Sequence, residues 1–137
     1  MEINIEHLKF IQSAITRMNT NSFMTKGWSL TITSAFLALY ASSNNTKYIL
    51  VAIIPVLFFW FLDAYYLQQE RKFRGIYDDV SQLTTESERL AVRLYEMPID
   101  KYKHGKYCYC DVFSSKTILP FYLSLISILF VVYLCQR

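Results

Sequence analysis

Hydrophobic positions gather in three long runs with periodic or mixed sequence between them. The middle run, YILVAIIPVLFFWFL at residues 48–62, carries no charge. Pro55 is its one helix breaker, which membrane helices tolerate because neighbouring groups re-satisfy the freed carbonyl. Phe58, Phe59, Trp60, Phe61, Tyr65 and Tyr66 thicken toward its end, where amphipathic rings suit the headgroup level. The runs at 27–46 and 117–136 hold about twenty uncharged residues each, enough at 1.5 Å per residue to cross roughly 30 Å of hydrocarbon. The pattern predicts an all-α integral membrane helical bundle with three transmembrane helices, at 27–46, 48–67 and 117–136, and a cytoplasmic helical extension at 68–97.

Ahead of the first crossing, Ile5, Leu8, Ile11, Ile15 and Met18 recur at steps of three or four, with Glu6, Lys9, Gln12 and Arg17 between them. This predicts an amphipathic helix over 1–21 that lies in the membrane interface or packs on the protein's own cytoplasmic helix. The side chains of NTNS, residues 19–22, compete with the backbone for hydrogen bonds and are expected to end it. The first crossing carries Ser29, Thr31, Thr33, Ser34, Ala35, Ala38 and Ala41. Small residues at this spacing allow close helix packing in lipid, either inside the chain's own bundle or toward a pore or a second subunit.

SSNNTK at 42–47 is a short polar turn, so the first two crossings form an antiparallel hairpin. Arg17 and Lys26 precede the hairpin and Arg71, Lys72 and Arg74 follow it, whereas the turn holds only Lys47. That bias places the amino terminus in the cytoplasm, and no secretory signal with a small-residue cleavage site opens the chain. Asn44 and Thr46 complete a glycosylation sequon, too close to the membrane to carry weight.

Past the exit, Phe73, Ile76, Val80, Leu83, Leu90, Leu94 and Met97 keep heptad phase if Ser87 takes one core position. The stripe reads as an oligomer seam or as a surface that packs on the amino-terminal helix. Gly75 and the capping-box pattern Thr85-Glu86-Ser87-Glu88 interrupt it, and a hairpin at the latter is an alternative. Pro98 closes the helix, a basic aromatic loop spans 98–116, and Pro120 falls in the first turn of the last crossing, where its missing N–H costs little.

Composition adds exclusions. Formal charge is +3 with no long basic block, so charge gives no indication of nucleic-acid binding. Three cysteines, Cys108, Cys110 and Cys135, argue against a disulfide framework, and Cys-x-Cys without a second pair is a poor metal motif beside His104 and Asp111. Reduced thiols, with reversible acylation as an option, are the expectation, and no metal or cofactor is called for. No nucleotide loop, nucleophile elbow, HExxH or paired-carboxylate motif occurs, so the chain is not expected to be an enzyme. Chemistry rests on Asp63, the acidic residue nearest the hydrocarbon, either as a headgroup-level carboxylate paired with a nearby cation such as Lys26 or Arg71 or as an acidic pore-mouth group, and on Glu70, Arg71, Lys72 and Arg74 as ligand candidates at the cytoplasmic exit.

SFMTKGW at 22–28 and FWFLDAYYLQQERKFRGIYDDV at 59–80 resemble small bacterial membrane proteins encoded near antiphage defence genes. They are similar to the two-transmembrane effector class that includes the SLATT-type domains and the Hailong-type channel subunit paired with a nucleotidyltransferase. The likeness covers roughly the first 80 residues and is most specific at Asp63-Ala64-Tyr65-Tyr66-Leu67, Glu70-Arg71 and Phe73-Arg74. It implies a homo-oligomer in the bacterial inner membrane that permeabilises the bilayer when a cytosolic defence partner or a nucleotide signal acts on it. The alternative is a membrane adaptor that recruits a cytosolic partner through 73–97. The third crossing departs from a two-helix effector and leaves the pore geometry open.

Overall fold

The computed structural model describes residues 2–83 and 85–135, with side chains from Ile5 onward. Four helices form it: α1 at Glu2–Ser43, α2 at Lys47–Val80, the short α3 at Tyr109–Phe113 and α4 at Leu119–Cys135. Among the described residues there is no strand. One helix, α2, is long and apolar enough to cross a membrane, and α4 is apolar but shorter at 17 residues. Gln136, expected to end the last run, lies outside the described residues.

α1 is continuous over 42 residues, so the break expected at 19–22 does not occur. Hydroxyls on either side of that stretch close back onto the helix: Thr16 donates to the Gln12 carbonyl and Thr25 to that of Asn21, at 3.0 and 2.8 Å. Ser22 is turned away toward α2. The chain reverses where expected. Asn44 takes φ 52, its N–H donates to the Tyr40 carbonyl at 2.8 Å, and the Asn45 side chain accepts from the Lys47 N–H. Asn is among the few non-glycine residues that enter the left-handed region readily.

α1 and α2 then run antiparallel along their whole common length. Near the turn, Tyr40 packs in one cluster with Ile49, Ala52 and Val56. At the other end Ile11, Ala14 and Ile15 of α1 meet Phe73 and Ile76 of α2. The amphipathic reading of the first helix is met in its second form, packing on the chain's own helix, with Glu6, Lys9, Gln12 and Arg17 exposed.

α2 passes through Pro55 and Gly75 and stops at Val80, so the extension is neither a continuous helix to Met97 nor a helical hairpin. Its end is a Schellman cap: the Leu83 N–H bonds the Asp78 carbonyl at 2.9 Å, and Gln82 bonds that of Asp79 with φ 62. The Thr85 pattern makes one turn, with the Glu88 and Arg89 N–H groups on the Thr85 carbonyl, and goes no further. Of the heptad stripe, Phe73 and Ile76 are buried and Val80 packs partly with them, on α1. Leu83, Leu90 and Leu94 fall in the irregular segment at 73%, 37% and 46% exposure, so the single chain buries no seam through them. With the helix gone after Val80, heptad spacing no longer brings these leucines to one face.

The stretch 98–116 is more ordered than a loop, with 3-10 turns at Ile99–Lys101 and Gly105–Tyr107 followed by α3. It is docked on α2 by side-chain bonds: Gln68 donates to the Tyr107 carbonyl at 2.9 Å, Arg71 to that of Lys106 at 3.1 Å, and the Tyr109 hydroxyl to that of Phe61 at 2.8 Å. Gly75 makes the docking possible. A Cβ there would lie 2.5 Å from the Tyr107 hydroxyl and 2.9 Å from the Tyr102 ring. α4 covers α2 from the other side, with Tyr122, Leu125 and Leu129 buried and Trp60 stacked between Phe113 and Tyr122.

Candidate functional site

Asp63 is fully buried, between α1 and α2 and facing α4. Its carboxylate takes the Lys26 ammonium at 2.6 Å on Oδ2, and the Ser22 hydroxyl donates to Oδ1. Lys26 also donates to Ser22 at 2.9 Å, closing a three-membered network across the two helices. The buried Tyr122 hydroxyl of α4 lies beside the carboxylate and donates to the Phe59 carbonyl at 3.2 Å. A carboxylate cannot stay charged in an apolar bundle without such partners. The positions follow from helix geometry. Ser22 and Lys26 are four apart and share one face of α1, and α2 brings Asp63 opposite them.

Asp63 is therefore not presented at an open mouth in the single chain, because Lys26 and Ser22 occupy its oxygens. The buried stripe on α1 continues from this network through Ser29 and Thr33. Thr33 donates to the Ser29 carbonyl at 2.8 Å, whereas the Ser29 hydroxyl has no hydrogen-bond partner. Gly27, Thr31, Ser34, Ala38 and Ala41 lie on the opposite, exposed face of α1. The small residues read as one stripe in the sequence thus serve two faces.

The exit residues divide by role. Glu70 is buried and holds Arg74 at 2.7 Å, one helical turn on, so these two satisfy each other. Arg71 is spent on the Lys106 carbonyl, and Lys72 is half-buried. The four are not gathered around a common pocket.

A second polar centre forms at the Val80 end. Asp79 is buried, and the Tyr102 hydroxyl and the Leu90 N–H both donate to its Oδ2. Burial first, and then the bond to Asp79, push the Tyr102 phenol well above its ordinary range, so it stays a donor at any physiological pH. His7 lies near this centre in a fully buried position, with its ring 5.7 Å from that of Tyr95. The sequence pointed to none of this. One signal was present: Asp79 stands three residues after Ile76 and four after Gly75, on the helix face that is otherwise core.

Cys108 is half-buried and Cys110 and Cys135 are exposed, all as free thiols. Among the described residues no group of three or more His, Cys, Asp or Glu side chains could hold a metal ion. His104 is exposed in its turn, while His7 is buried on α1. No family model, no curated protein and no solved structure matches the chain.

Proposed function

We propose that the chain is an integral membrane protein that crosses the bilayer with the second half of α1, with the first part of α2 and with α4. Its amino terminus and residues 68–116 face the cytoplasm, and several copies assemble to permeabilise the membrane as the effector of a bacterial antiphage system. Burial carries the membrane part of this reading. Around Asp63 and toward the turn the exterior is apolar, with Trp28, Leu30, Leu39, Ile54, Phe58, Phe61 and Phe130 exposed, while α1 turns hydroxyls and a lysine inward. That is the arrangement expected where the solvent is hydrocarbon.

Conduction requires several copies, since one chain of this size cannot enclose an aqueous path, and cyclic symmetry is the natural closure. The exposed face with Gly27, Thr31, Ser34 and Ala38 supports copy-to-copy packing, because small residues let backbones approach. In the single chain Lys26 neutralises Asp63. In the conducting assembly the pair opens, and one carboxylate per copy forms an acidic ring that favours cations. The defence role and its trigger, a cytosolic partner or nucleotide, rest on the resemblance at 22–28 and 59–80.

Ion flux from liposomes that contain the purified protein tests this. Wild type should release cations in preference to anions, and Asp63→Asn should lower that preference while the oligomer size stays the same. Equal ion preference in the two proteins refutes the ring. A cysteine placed at Asn45 should react with an impermeant reagent added outside the cell and one at Ser81 should not; the opposite labelling refutes the orientation. The second reading, a membrane adaptor, is favoured by the exposed leucines 83, 90 and 94 in an irregular segment, and it predicts no flux under any condition.

A further inference from the structure

Where α1 begins and α2 ends, the chain forms a half-open polar chamber of about 270 Å³ that the Lys26–Asp63 network does not touch. His7, Asp79, Val80 and Gln82 line it, and the strap 89–94 covers it. His7 is 1% exposed, and its Nε2 has no hydrogen-bond partner. Such a buried polar atom forfeits the bond it would make to water, which native structures seldom leave uncompensated.

Asp79 supplies the second observation. Both of its described donors are on Oδ2, and among the described residues no cation pairs with the carboxylate. A buried carboxylate ordinarily has a counter-charge or a full set of donors. One pocket thus holds a carboxylate and an imidazole nitrogen that accepts when the ring proton is on Nδ1.

These groups select by chemistry. An anion would be repelled by Asp79. An apolar molecule would leave His7 Nε2 unpaired. A metal ion lacks ligands, since no set of three is assembled among the described residues. A positively charged group with several N–H donors satisfies both, and the apolar walls from Val80, Leu90 and Leu94 suit a short hydrocarbon stem. Arg89 stands on the strap side of the wall and has an interaction of its own. We propose that this chamber binds a small organic cation, an alkylammonium or guanidinium compound, through N–H donors shared between Asp79 and His7. The site stands independently of whether the protein conducts ions.

Titration of the full-length protein in detergent with putrescine and, separately, with methylguanidine tests it, read by calorimetry and by the imidazole resonances of His7. Saturable binding by at least one cation that shifts those resonances is expected. Asp79→Asn and His7→Leu should each weaken it by about tenfold or more, as for loss of one charge-assisted hydrogen bond. His104→Gln, on the neighbouring turn, should leave it unchanged. Asp79→Asn also disturbs Tyr102, so Tyr102→Phe is measured beside it: it loses the same hydroxyl contact but keeps the carboxylate, and should bind at least as tightly as wild type. Should Asp79→Asn not fold, His7→Leu and Tyr102→Phe decide. Absence of saturable binding up to about 10 mM of either cation, equal binding by Asp79→Asn and wild type, or tighter binding of acetate than of putrescine would each overturn the proposal.

Discussion

Between the turn and Asp63, α1 meets α2 through Ser22, Thr25, Ser29 and Thr33, with a lysine and a carboxylate inside and large apolar side chains outside. Between Asp63 and Val80 the same two helices meet through Ile11, Ala14, Ile15, Phe73 and Ile76, with Glu6, Lys9 and Arg17 of α1 outside and Glu70 and Asp79 of α2 as buried carboxylates. The face that α1 turns to α2 is rich in hydroxyls at one end and mainly aliphatic at the other. Water rewards removal of apolar surface, so the second region is held by burial at about 25 cal/mol per Å². Lipid gives no such reward; on the proposed placement the first region gains from close contact, from hydroxyls closed on their own carbonyls and from one ion pair. On the proposed membrane placement, this change along α1 follows the change of solvent.

The largest effect that can break this comparison is at the ion pair. Lys26→Ala or Asp63→Ala alone leaves a buried charge unpaired and should destabilise the protein by about 3–5 kcal/mol, measured by unfolding in detergent. The double variant Lys26→Met with Asp63→Leu should recover most of that loss, because two apolar side chains replace two desolvated charges. If the singles cost nothing, the region is wet and the contrast fails. In the apolar half, Ile76→Ala should cost about 2–4 kcal/mol through a cavity against Ile11 and Ile15.

Smaller effects sharpen the boundary between the two regions. Gly75→Ala forces its new methyl against Tyr102 and Tyr107, and should cost about 1–3 kcal/mol while freeing 98–107 to proteolysis. Unchanged protease resistance would mean that the tyrosines yield without undocking. Leu90→Lys, on an exposed position outside any helix, should change stability by less than about 0.5 kcal/mol. A fall in oligomer size in that variant would show that an assembly covers this leucine.

The sequence determined the elements whose signals are local sums. Uncharged runs, the polar turn at 42–47, the alternation in 5–18 and the proline in the first turn of α4 each follow from a window of neighbouring residues; the turn and the proline are where they were read, while the first run and 5–18 join in one helix and Ile5 is exposed. That Asp63 would pair with a nearby cation, Lys26 or Arg71, was legible, and the fold decided for Lys26. Tertiary structure decided the rest. α1 ignores its NTNS stretch because a long partner helix lies alongside and Ser22 has Asp63 to bond. α2 ends at Gln82, in a left-handed conformation that no glycine advertises. Leu83, Leu90 and Leu94 keep heptad phase in the sequence and lose it in space, since spacing has meaning only while the helix continues. The chamber of His7 and Asp79 joins the two ends of the α1–α2 pair with a strap from 89–94, and only the folded chain brings those residues together.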